Sequence, residues 1–172
     1  AGEIGMVQML PADILAHGVD GDGDGRVTLK TSAADALMSG GALLQALGWR
    51  AGEPWLQEVT VPEGFDWSQS GLRTEKAAED WAALGVRPRR GALPGALPAS
   101  LIVPQGRFGP AFLAYPNFRV LFEWNRSFVY VATAAYFATR LEGAPVFDAG
   151  RPAPGLAEAQ MKDLQRRLQE RG

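Results

Sequence analysis

The chain has 172 residues, 47% hydrophobic and 21% charged, with a formal net charge of −2. That is enough for a domain with a buried core, and it excludes global disorder. Absence of cysteine and a single histidine exclude disulfides, thiol nucleophiles, cysteine-ligated zinc and multi-histidine metal chemistry; the charge balance offers nothing to nucleic acid. The longest apolar run, Phe128 to Ala138, is too short to span a bilayer. With 21 glycines and 12 prolines, long ordered loops between short elements are expected.

In chain order, Pro11 to His17 reads as a short helix with proline where its missing N–H costs nothing. Gly18 ends it, and His17 is assigned no chemistry beyond meeting the helix carbonyls. After an acidic loop, Ser32 caps a helix to Leu47, with Gly48 as its stop. Glu58 to Val61 is a brief strand ended by Pro62. Thr74 is expected to cap a helix through Leu84, stopped by Gly85. Leu101–Val103 and Ala111–Ala114 form a small β-hairpin around Gly106 and Gly109. Asn117 is placed as a cap for Phe118–Trp124. Ser127 caps a helix to Leu141 whose all-round apolarity predicts burial. Residues 144–154 read as a Pro/Gly linker, and 155–172 as a separate amphipathic helix. The fold class is α+β, mainly α-helical. Trp49, Trp55, Trp67 and Trp81 are read as core or loop anchors.

The loop Asp20-Gly-Asp22-Gly-Asp24-Gly25-Arg26-Val27-Thr28 matches the first nine positions of an EF-hand. Carboxylates at positions 1, 3 and 5, glycine at 6 and the Arg26 carbonyl at 7 suit a hard, oxygen-seeking cation. Position 12 is Thr31 rather than glutamate; Asp35, on the next helix, is the available replacement. The expected ligands of a structural calcium are therefore Asp20, Asp22, Asp24, the Arg26 carbonyl and Asp35.

Three motifs carry a resemblance. They are Ala1-Gly-Glu-Ile-Gly-Met6-Val-Gln8-Met-Leu-Pro11 before the acidic loop; Gly48-Trp49-x-x-Gly52-x-Pro54-Trp55 with Glu58-Val59; and Gly109-Pro-Ala-Phe112-Leu113, Asn117-Phe118, then Trp124-Asn125-Arg-Ser127 and Tyr130. In this order they resemble the B-type lytic murein transglycosylases, periplasmic enzymes of lysozyme-like fold, over Ala1 to about Gly143. The tail from Leu156 looks like the first helix of a peptidoglycan-binding module. The resemblance divides the chain into 1–143, the C-terminal part of the catalytic domain, a 144–154 linker, and 155–172, a truncated module.

What the resemblance implies is non-hydrolytic cleavage of the β-1,4 bond between N-acetylmuramic acid and N-acetylglucosamine. The sugar's own C6 hydroxyl attacks to give a 1,6-anhydro product, and one glutamic acid serves as acid and then base, unlike the usual carboxylate pair. In the family that glutamate lies upstream of the glutamine motif. It is expected upstream of Ala1, as for a trimmed fragment; Glu3, Glu58 and Glu123 are left as structural or surface carboxylates. The chain alone is expected to be inactive and to supply the substrate groove: Gln8, Met6, Tyr115, Asn117, Asn125 and Tyr130, with Phe112 in the floor. For Asn117 the cap and the groove role stay open. Partners are peptidoglycan glycan strands, with no nucleic acid, membrane attachment only through an upstream segment, a monomeric state and no organic cofactor. The alternative reading is a non-catalytic peptidoglycan-binding or calcium-dependent scaffold.

Overall fold

The computed structural model describes residues 2–171; Ala1, first residue of the first motif, and Gly172, last of the tail, lie outside them. Among the described residues six α-helices run in chain order, α1 (Pro11–His17), α2 (Ala33–Ala46), α3 (Ala78–Ala83), α4 (Pro116–Trp124), α5 (Phe128–Leu141) and α6 (Glu158–Gln169). Among them lie five strands, β1 (Leu56–Thr60), β2 (Lys76–Ala77), β3 (Arg87–Pro88), β4 (Pro98–Ile102) and β5 (Ala111–Ala114), in one antiparallel sheet of order β2-β4-β5-β1-β3. The expected hairpin is β4–β5, with Leu101 opposite Leu113; the sheet around it is larger than the sequence reading, because β1 pairs along the whole of β5.

Alternation along the strands sends side chains to two apolar layers. Val59, Ala99, Leu101, Ala111 and Leu113 face a cluster with Phe65, Trp81 and Val86. Leu56, Ile102, Phe112 and Ala114 face Phe118, Val131 and Ala135 of α4 and α5. A third, smaller cluster of Met9, Leu29, Ala36 and Leu43 ties the N-terminal turn to α2. No described helix is long and apolar enough to cross a membrane.

Ser32 caps α2 as read, accepting the Asp35 N–H. Four expectations are corrected. The third helix starts at Ala78, not after Thr74, because Lys76 and Ala77 pair with Ala99 and Pro98 as a strand. Asn117 is no N-cap: Tyr115 holds that place and Pro116 opens α4. The α5 helix is capped by Ser127 as read, but only Val131 and Ala135 are buried; Val129, Phe137 and Leu141 are exposed. The segment 144–154 is no free linker. Phe147 packs edge-on against Phe112 (6.0 Å) and Tyr136 (4.8 Å). The Asp148 N–H donates to Glu58 Oε1 at 2.8 Å, and Arg151 N–H to the Phe108 carbonyl at 2.7 Å. This strap covers sheet surface beyond the end of α5.

Candidate functional site

The loop between α1 and α2 folds around its own carboxylates. Asp20 accepts the N–H groups of Gly23 (2.7 Å) and Asp24 (3.2 Å) on one oxygen and of Gly25 (2.8 Å) on the other. Asp22 accepts the Ser32 hydroxyl at 2.6 Å. Asp35, in the first turn of α2 and fully buried, takes Gly21 N–H at 2.8 Å on one oxygen and Thr28 N–H at 2.7 Å on the other. These bonds favour the ionised form, Thr28 most of all, and hold its pKa below the ordinary 3.8 against the opposing effect of burial. Oxygens of Asp20, Asp22 and Asp35 lie within 4.8 Å of one another. Carboxylates this close repel, and an all-oxygen donor set fits a hard cation. Asp24 stands outside that group, contrary to expectation: its Oδ1 accepts Arg26 N–H at 2.8 Å in a local turn.

The segment before α1 is a tight turn. Ile4 and Met9 exchange backbone bonds (2.8 and 3.1 Å), and Met6 N–H reaches the Leu29 carbonyl at 2.9 Å. A side chain at Gly5, φ +78°, would meet Leu29 Cβ at 2.5 Å, so glycine is required where the turn crosses Leu29. Gln8 has φ +52°, and among the described residues it is the one non-glycine in the left-handed region. Such a conformation costs on the order of 1 kcal/mol; the surrounding bonds enforce it, and it displays the Gln8 amide, exposed like Met6. Tyr130 is also exposed, in the first turn of α5.

Asn125 performs a backbone task there. Its Oδ1 accepts Ser127 N–H at 2.9 Å, and the Ser127 hydroxyl in turn accepts Tyr130 N–H. The structure thus gathers Met6 with Gln8 in one turn, and Asn125 with Tyr130 around one cap. No hydrogen bond among the described residues joins the two groups.

Tyr115, Asn117 and Phe112 are corrected. Tyr115 is fully buried, its hydroxyl donating to Gln57 Oε1 at 2.6 Å. Burial pushes its phenol pKa up, and it presents no ring face to solvent. Asn117 is also fully buried. Its amide donates to the carbonyls of Arg50 (2.8 Å) and Glu53 (2.9 Å), and its Oδ1 accepts Arg50 N–H at 2.8 Å. It therefore binds the Gly48–Trp55 motif to α4 from inside the helix, neither as cap nor as groove residue. Phe112 is 6% exposed under Phe147. Of the tryptophans, Trp81 is a core residue bonded to the Ala99 carbonyl, and Trp55 reaches Ala135 on α5.

The sequence reading missed Arg119, which bonds the Leu72 carbonyl and Ser100 and pairs with Glu75. It also missed Arg89, which meets Glu58 (3.1 Å) and Asp148 (2.6 Å) together. The apolar pair Val146-Phe147 in a supposed linker was the available signal for the strap. The carboxyls whose surroundings shift them, Asp35, Asp66 and Asp148, are all held low, the wrong direction for a general acid. Glu58 is engaged by Arg89 and the strap, and Glu123 lies in solvent beside Arg126.

A family model described as "Transglycosylase SLT domain" matches residues 1–139. SltB3 from Pseudomonas aeruginosa, solved with NAG-NAM-pentapeptide, is 37% identical over 100% of this chain and 48% of its own, with a TM-score of 0.87. The catenated lytic transglycosylase SltB1 from the same organism is 26% identical over 83% of this chain and 49% of its own, TM-score 0.64. The Escherichia coli lytic transglycosylase Slt35, solved with calcium, is 25% identical over 82% and 46%, TM-score 0.62. No curated protein gives a match. The chain spans about half the length of the solved structures it matches.

Proposed function

This chain belongs to the transglycosylase SLT domain family, with a lysozyme-like α+β fold, and on that footing we propose that it is the glycan-binding half of a peptidoglycan lytic transglycosylase acting in the bacterial periplasm. The observation that carries the reading is the 37% identity over the whole chain to a structure holding NAG-NAM-pentapeptide. In the proposed reaction a glutamic acid protonates the oxygen of the MurNAc–GlcNAc bond; the C6 hydroxyl of MurNAc then attacks C1 as that carboxylate takes its proton, closing the 1,6-anhydro ring. Water does not enter the bond-making step.

The exposed amide of Gln8 both donates and accepts, which suits an N-acetyl group; the Tyr130 hydroxyl faces the reacting end, and Met6 and Asn125 border the strand. The acid is assigned, as the family resemblance implies, to a residue outside the 172; Glu58 is already paired with Arg89, and Glu123 sits in solvent beside Arg126. The acidic loop holds calcium through Asp20, Asp22 and Asp35, completed by the Arg26 carbonyl. The carboxylate cluster and the calcium complex of the E. coli relative support that part. Its role is to fix α1 against α2.

The test uses purified murein sacculi. The 172-residue chain should sediment with them, Gln8→Ala and Tyr130→Phe should sediment less, and no anhydro-muropeptide should be released. Release by the chain alone would overturn the external acid; absence of binding would overturn the groove. Calcium should raise the melting temperature relative to a chelator, and Asp20→Asn together with Asp22→Asn should abolish the rise. An unchanged melting temperature would remove calcium from the account.

A further inference from the structure

The strap forms one wall of an open cavity of about 210 Å³ beside the end of β1, lined among others by Glu58, Thr60, Trp67, Arg89, Arg107 and Asp148. None of Met6, Gln8, Asn125 or Tyr130 lines it. Its charges are unequally satisfied. Arg89 spans both carboxylates, Glu58 through Nε and Asp148 through Nη2. Each carboxylate also accepts a strap N–H, from Asp148 at 2.8 Å and Gly150 at 2.9 Å respectively. Arg107 forms no ion pair with any described residue. Its guanidinium rests 4.5 Å from the centre of the Phe108 ring, which orients the planar fork while leaving its N–H donors free.

The wall opposite is equally built. Trp67 is half-buried and held edge-on by Phe65 at 5.4 Å. The Arg107–Phe108 tip is fixed to the strap by the bond from Arg151 N–H to the Phe108 carbonyl. Gly150, at φ +61°, makes that approach possible, since a Cβ there would collide with the same carbonyl. The cavity therefore offers one oriented, unneutralised guanidinium, an indole and a polar strand edge. That combination fits a short peptide with a free carboxylate and small apolar side chains.

We infer that this strap-walled cavity binds the peptide stems of peptidoglycan, with Arg107 taking a stem carboxylate and Trp67 packing against the stem's aliphatic groups. The inference rests on the proposed peptidoglycan reading for the identity of the peptide. It adds a second point of hold, by which stem-bearing strands are retained over bare ones.

The probe is the sugar-free tripeptide L-alanyl-γ-D-glutamyl-L-lysine, titrated into the 172-residue chain and followed by calorimetry and tryptophan fluorescence. It should bind and perturb fluorescence, and Trp67→Phe should remove the perturbation. Arg107→Ala should weaken binding by about tenfold or more, the loss expected for a charge-assisted hydrogen bond, and Arg107→Lys should restore part of it. Arg107 is exposed and unpaired, so its replacement leaves the fold intact, which far-UV circular dichroism verifies. Equal tripeptide affinity in the Arg107→Ala chain, absence of binding, or equal binding of acetate would each overturn the assignment. A peptide-free GlcNAc–MurNAc tetramer reads the groove separately: it should bind the unaltered chain and the Arg107→Ala chain alike. Loss of tetramer binding with tripeptide binding retained would strike the groove reading, not the cavity.

Discussion

Asn117 shows how one side chain joins two distant stretches of sequence. Three hydrogen bonds join its fully buried side chain to the backbone of Arg50 and Glu53, which lie at the edge of the covered region. Removing the amide leaves those three groups without partners, and each unsatisfied buried group costs ~1–3 kcal/mol. Asn117→Ala should therefore lower the unfolding free energy by about 3 kcal/mol or more, measured by urea denaturation. Asn117→Asp, which keeps the acceptor and loses both donors, should still be destabilising. Asp35 acts in the same way with charge added. Its folded pKa lies below the ordinary 3.8, mainly through the Thr28 N–H, so its contribution to stability is present in full above the unfolded value. It is lost as pH falls through the lowered folded value, because the unfolded chain binds the proton first. The melting temperature in calcium-free buffer should thus fall below about pH 4, and Asp35→Asn should be less stable at neutral pH with a flatter acid limb. Asp66 and Asp148 add to the acid limb with the same sign.

Elements behaved according to what surrounds them. Helix α2 could be read from its cap and its stripe because both signals are local: Ser32 accepts the Asp35 N–H, and Ala36 and Leu43 are buried. The start of α3 could not, since Lys76 and Ala77 are drawn into the sheet by β4, more than twenty residues on. The α5 helix is apolar on every side, which the sequence reading took as burial, yet packing reaches only the Val131–Ala135 side. The strap is the opposite case. Its composition resembles a linker, but Phe147 fills the space between Phe112 and Tyr136. Phe147→Ala should cost about 2 kcal/mol, less than a fully buried phenylalanine because the ring is only half-covered. Hydrogen exchange should show Asp148 and Arg151 amides losing protection in that variant, while β4 and β5 keep theirs.

For the whole molecule, the β4–β5–β1 sheet is the frame, covered on one face by α3 with Trp81 and on the other by α4, α5 and the strap. The body therefore extends to Arg151 rather than ending at Gly143. Helix α6 has no buried residue and leaves Met161, Leu164 and Leu168 exposed, as is Leu156 just before it. Shortening the chain to end at Ala153 should leave its melting temperature unchanged, whereas ending it at Gly143 should lower it, since only the second cut uncovers Phe112 and frees Arg89 from Asp148.

The residues quoted for the family were all legible in order, and so were the acidic loop, the caps at Ser32 and Ser127 and the hairpin, because each depends on neighbours within a few positions. Gln8 and Tyr130 were legible as candidates by resemblance, and their exposure agrees with a surface role. Tyr115 and Asn117 were misread because a tyrosine after a strand and an asparagine before a phenylalanine look alike whether they face water or the interior. Only the pairing of β1 with β5, and the seating of the Gly48–Trp55 loop against α4, placed both side chains in the dark. By itself, then, the chain's order of residues determined its family, its short-range turns and caps and its acidic loop. Which apolar faces are covered, which polar groups are spent on backbone, and which guanidinium stays free were decided by contacts between segments tens of residues apart, and these exist only once the sheet has assembled.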